Sequence, residues 1–73
     1  MVIKMENIDV RKYIINNFKN DGIDEIEISI RESIESKEDD PLIGLGVLFE
    51  LMWNNSDNTL RNTILTNIKK GLN

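Results

Sequence analysis

The sequence predicts an all-α protein, a small antiparallel bundle of about four short helices over residues 10–20, 24–36, 41–54 and 57–70. Three observations lead there. Apolar residues recur at intervals of three and four in these stretches, which is the period of one helix face. The stretches begin after residue types that cap helices, and most end at residue types that stop them. The joining segments are short, so consecutive helices become neighbours running in opposite directions.

For the first helix, Asp9 supplies the cap, Val10, Ile14 and Phe18 form one stripe with Tyr13 and Ile15 beside it, and Asp21-Gly22 ends it. For the second, Asp24 with Glu27 three residues on has the pattern of a capping box. Ile23 ahead of the cap is expected to staple onto Ile28. Ile23, Ile26, Ile30 and Ile34 then keep helical period; Ile26, Ile28 and Ile30 also alternate as a strand would, but the staple accounts for Ile28. A polar, acidic linker from Glu35 to Asp40 leads to Asp40-Pro41, where aspartate caps and proline fits the first helical turn. The third helix is apolar on nearly every side, with Leu42, Ile43, Leu45, Val47, Leu48, Phe49, Leu51, Met52 and Trp53, and must be covered on several of them. After Asn54-Asn55, Ser56 caps the fourth helix and Asp57 sits in its first turn. Its stripe is Leu60, Ile64, Leu65 and Ile68, with Lys69 and Lys70 in the last turn and Gly71 as a left-handed cap.

Length limits what such a bundle can bury. A domain of 73 residues covers only about 60% of the surface its unfolded chain exposes, so self-association is an expected aid to stability. There is no cysteine or histidine, hence no disulfide or zinc staple, and helix packing must carry the fold. Residues 1–8 read as a partly disordered N-terminal extension without the pattern of a signal peptide, and residues 9–73 as one helical domain inside the cell. The apolar run from Leu42 to Trp53 would span roughly 18 Å as a helix, against roughly 30 Å for a bilayer core. With Glu50 interrupting it, it is a core segment and not a membrane span.

Charge is unevenly spread. The chain carries −4 overall, made of −7 between Gly22 and Glu50 and +3 elsewhere. Mixed surface charge serves solubility, and the uneven pattern also permits attraction between chains. A nucleic-acid reading would rest on Arg61, Asn62, Thr66, Lys69 and Lys70 of the fourth helix. It is disfavoured by a pI of about 4.6, since so few cations release few counterions.

Chemistry-bearing patterns are scarce. Without histidine or cysteine the commonest bases and nucleophiles are missing, and the carboxylates cluster on a linker and a solvated helix face, so no enzyme is expected. Glu38-Asp39-Asp40 lacks the twelve-residue ligand spacing of a calcium loop, and Gly44-Leu45-Gly46 follows no strand and lacks the lysine of a phosphate loop. Neither a metal nor a cofactor is expected. The two glycines instead suggest close approach of neighbouring helices on two sides of the third helix. Gly44, Gly46, Val47, Phe49 and Trp53 are therefore candidate core and interface residues. Glu50 and Arg61 lie equally far from the turn at Asn55-Ser56, so a hairpin would pair them as an ion pair fixing register.

The string Gly44-Leu45-Gly46-Val47-Leu48-Phe49-Glu50, followed by Trp53, resembles the signature of the small acid-soluble spore protein I family. The similarity extends from about Val10 through the isoleucine-rich second helix and acidic linker to Gly71-Leu72. In that family a proline directly precedes the first glycine, whereas Leu42-Ile43 intervene here; the family also begins nearer its first helix, which makes Met5 a candidate native start. The resemblance implies a minor protein of endospore-forming Firmicutes, made in the forespore and kept in the spore core. The sequence does not look like the alpha/beta-type spore proteins that coat DNA, and no germination-protease site is readable in it. The resulting expectation is a non-catalytic structural or interaction protein, self-associating as a homodimer through the third helix. A DNA-associated spore protein and a cytoplasmic protein-binding adaptor are the alternatives.

Overall fold

A computed structural model describes residues 9–73 as four α-helices, and the expected N-terminal extension over residues 1–8 lies outside the described residues. The helices are α1 (Val10–Phe18), α2 (Ile23–Glu35), α3 (Asp40–Asn54) and α4 (Asn58–Leu72). The chain is all-α, as its periodicity predicts. Among the described residues no helix is long and apolar enough to cross a membrane.

Local chemistry places the helix ends, in several cases one or two residues from the expected position. Asp9 caps α1 as foreseen, its carboxylate accepting from the Lys12 amide at 3.0 Å. α2 starts earlier than Asp24 would allow. Gly22, in extended backbone, is the cap, and the Glu25 carboxylate reaches back to accept from the Gly22 amide at 2.8 Å. Glu25 thus makes the return half of a capping box whose other half a glycine cannot supply. Ile23 becomes the first helical residue and is 85% exposed, so it does not staple the entry.

Lys37, just past the end of α2, adopts φ 60°, the left-handed position where a helix commonly stops at glycine. α3 then begins at Asp40, with Asp39 as cap residue and Pro41 in the first turn, where its missing amide costs nothing. At the α3–α4 turn the two polar residues share the work differently from the sequence reading. The Ser56 hydroxyl donates back to the Met52 carbonyl at 2.6 Å, closing α3, and Asp57 caps α4 by accepting from the Leu60 amide at 2.9 Å. Gly71 is no left-handed cap. No glycine among the described residues has positive φ, and helical bonding carries through Leu72.

α3 is the hub because it alone is apolar on nearly every side. α1 and α2 both pack on it, whereas α4 approaches the other helices more sparsely. Ile14 and Phe18 of α1, Ile26 and Ile30 of α2, and Leu45 and Leu48 of α3 are half-buried. Val47 is the one fully buried residue among those described, at 7% exposure.

Candidate functional site

Rotation along α3 separates the candidate residues. At 100° per residue, Gly44 and Val47 project to one side, while Leu42, Gly46, Phe49 and Trp53 recur at intervals of four, three and four on the other. Gly44 faces α1. A methyl group built there would meet Ile14 Cδ1 at 3.9 Å, an ordinary van der Waals separation, so the glycine is not forced by helix crossing within the chain. Gly46 is exposed, and an added methyl group would touch nothing within 4 Å. The expected close approach on two sides of α3 is thus loose at Gly44 and open at Gly46.

Glu50 does not meet Arg61. Its carboxylate is held by Arg11 of α1, Nε to Oε1 at 2.7 Å and Nη2 to Oε2 at 2.9 Å. Hairpin register located Glu50 correctly on α3 but could not see that α1 lies alongside, 39 residues away in sequence. The Arg11 hydrogen bonds hold the Glu50 carboxyl below its ordinary range and raise the guanidinium above its own. Glu50 is therefore ionised at neutral pH, a poor proton donor, and its two oxygens are already occupied.

Arg61 has a different partner. Its guanidinium carbon lies 4.9 Å from the centroid of the Trp53 ring, and its Nε donates to the Trp53 carbonyl at 3.0 Å. One side chain thus covers the aromatic face and adds a second donor to a carbonyl of the last α3 turn, which also accepts from the Ser56 amide at 3.2 Å. Phe49, one turn earlier, stacks on Trp53 with centroids 6.0 Å apart and planes 24° apart. Arg61 on Trp53 thus ties α4 to α3, and Phe49 braces Trp53 from within α3.

Two open grooves flank this side of α3 and share Glu50. One, of about 510 Å³, lies between α3 and α4 and is lined by Phe49, Glu50, Trp53, Asn54 and Leu65. The other, of about 260 Å³, lies between α1 and α3, where Gly46 forms part of its wall with Val10, Arg11 and Leu42. Both are mainly apolar and carry no convergent set of acid, base and nucleophile, so the arrangement suits packing against another apolar surface. Arg11 and Ile14 are the participants that sequence reasoning missed. Each lies on the predicted first helix, but no local spacing says which face of α3 that helix will meet.

A sequence-family model described as "Small, acid-soluble spore protein I" matches residues 8–72. Curated relatives carry the same description. The protein from Shouchella clausii is 36% identical over 67 residues, covering 92% of this chain and 97% of the relative. Those from Bacillus cytotoxicus and Bacillus velezensis are 35% and 33% identical over 66 residues, each covering 90% of this chain and 94% and 93% of the relative. No solved structure matches the chain.

Proposed function

The chain belongs to the small acid-soluble spore protein I family, and from that premise we propose that it is a non-catalytic protein of the spore core that works by associating with itself. The observation that carries the association is the apolar stripe Leu42, Gly46, Phe49 and Trp53, bordered by two open grooves on a chain whose only buried described residue is Val47. A small protein with so little interior gains stability by covering that surface. The non-catalytic reading is supported by the absence of histidine and cysteine from the sequence and by the engagement of Glu50 with Arg11.

Two measurements test this reading. Tagged protein followed through sporulation should accumulate in the forespore alone and stay with the core fraction of mature spores; accumulation in growing cells would favour the cytoplasmic adaptor. Sedimentation equilibrium across a range of protein concentrations should show a dimer, and a strict monomer would remove the association.

The DNA-associated alternative is favoured by one feature, that α4 carries Arg61, Lys69 and Lys70 and no acidic residue. Against it stands the net charge of −4. Titration of duplex DNA at two salt concentrations separates the readings, because phosphate-driven binding must strengthen steeply as salt falls.

A further inference from the structure

We propose that the C-terminal helix of a second copy lies antiparallel along the α3 stripe Leu42, Gly46, Phe49 and Trp53, filling the groove between α3 and α4 at the Phe49–Trp53 end and covering the edge of the α1–α3 groove at Leu42 and Gly46. The two α3–α4 pairs then close into one intermolecular four-helix bundle. This inference rests on the self-association proposed above and specifies which element of the partner makes it.

Length, exposure and charge each point to α4 as the occupant. α3 and α4 are both 15 residues long, about 22 Å, so one helix covers the other end to end. α4 packs sparsely in its own chain, and Leu60, Leu65, Ile68 and Leu72 are all exposed. Set antiparallel to α3, Leu60, Ile68 and Leu72 come opposite Trp53, Gly46 and Leu42, with the half-buried Ile64 between them opposite Phe49. Gly46, with nothing within 4 Å, leaves room for the larger Ile68.

Charge selects the direction. α4 carries Arg61, Lys69 and Lys70 without an acid, while the start of α3 and its linker carry Glu38, Asp39 and Asp40. The antiparallel arrangement puts Lys69 and Lys70 at that acidic end; a parallel one would put them beside Asn54-Asn55. A stable interface needs about 800 Å² from each partner, and the exposed Leu42, Phe49, Leu60, Ile68 and Leu72 supply apolar surface toward it.

Because the chain has no cysteine, single thiols report the pairing cleanly. Leu42→Cys and Leu72→Cys chains, exposed by 58% and 75% at those positions, are prepared separately, mixed and oxidised. The mixed disulfide should exceed either homodisulfide at least fivefold, and sedimentation should show a dimer. The double variant Lys69→Glu, Lys70→Glu should weaken the dimer at least tenfold at low salt. A dimer in which the Leu42→Cys or the Leu72→Cys chains link to themselves, in which no disulfide forms, or which is indifferent to the two charge reversals overturns this inference while leaving self-association standing. A monomer throughout overturns both, including the case in which the monomer binds duplex DNA through α4.

Discussion

Arg11 and Glu50, 39 residues apart in sequence, form a two-pronged ion pair that joins α1 to α3. Both side chains are exposed, so water and salt screen the attraction, and its main effect is to set the angle and register at which α1 lies on the hub helix. Glu50 is depressed in pKa by the hydrogen bonds from Arg11, so its contribution to stability is present above the ordinary carboxylate range and lost as pH falls through the folded-state value. Wild-type protein should therefore melt above Glu50→Gln at neutral pH, with the gap closing on acidification and shrinking in high salt. Paired melting curves from neutral pH down to the acid limb check this. A gap of constant size would mean that the glutamine acts through packing and not through charge.

Gly44 and Val47 occupy the same inward side of α3 but differ in what a substitution does there. Val47 is the buried centre of the described fold, and Val47→Ala should cost about 1–2 kcal/mol through lost burial and the void left behind. At Gly44 a methyl group finds ordinary contact with Ile14, so Gly44→Ala should raise stability by up to about 1 kcal/mol through helix propensity. Chemical denaturation at low protein concentration, where association does not intervene, measures both. A destabilised Gly44→Ala would show that α1 approaches α3 more tightly than 3.9 Å allows.

Lys37 stops α2 in a conformation that L-residues with a Cβ adopt at a cost of roughly 1–2 kcal/mol. Glycine removes that cost but loses more chain entropy on folding. The net expectation for Lys37→Gly is a gain of about 0.5–1 kcal/mol. Lys37→Ala, which removes the charge and keeps the Cβ, should show no such gain. Denaturation midpoints for the two variants make the comparison, and equal midpoints would assign the effect to charge.

The four helices were legible because period and polarity repeat locally, and the apolar excess of residues 42–53 marked α3 as the hub before any contact was known. What could not be read was choice among equivalent neighbours. Gly22 or Asp24, Asp39 or Asp40, Ser56 or Asp57 are chemically comparable caps within two residues of each other, and local spacing does not rank them. The partner of Glu50 was illegible for a related reason. Register in a hairpin ranks candidates by distance along the chain, whereas Arg11 arrives through the packing of α1 on α3. On the candidate surface, helical period separates Gly46, Phe49 and Trp53 from Gly44 and Val47, but which of the two sides turns inward is read only from exposure.

The α3–α4 turn offers the sharpest test of the cap assignment, because adjacent residues serve opposite helices. Asp57 accepts from the Leu60 amide and places a negative charge at the N-terminus of α4, where the helix dipole favours it. Removing it in Asp57→Ala should cost about 1 kcal/mol. Ser56 instead donates to the Met52 carbonyl at the end of α3, a group that also accepts from the Asn55 backbone amide at 3.2 Å, so Ser56→Ala should cost less than about 0.5 kcal/mol. Because α4 packs sparsely on the rest of the chain, the Asp57→Ala loss should appear first as faster amide exchange from Leu60 through Ile64, with α1 and α2 unaffected. If Ser56→Ala produced that local opening and Asp57→Ala did not, the cap would belong to Ser56 after all, and α4 would begin one residue earlier than its hydrogen bonds indicate.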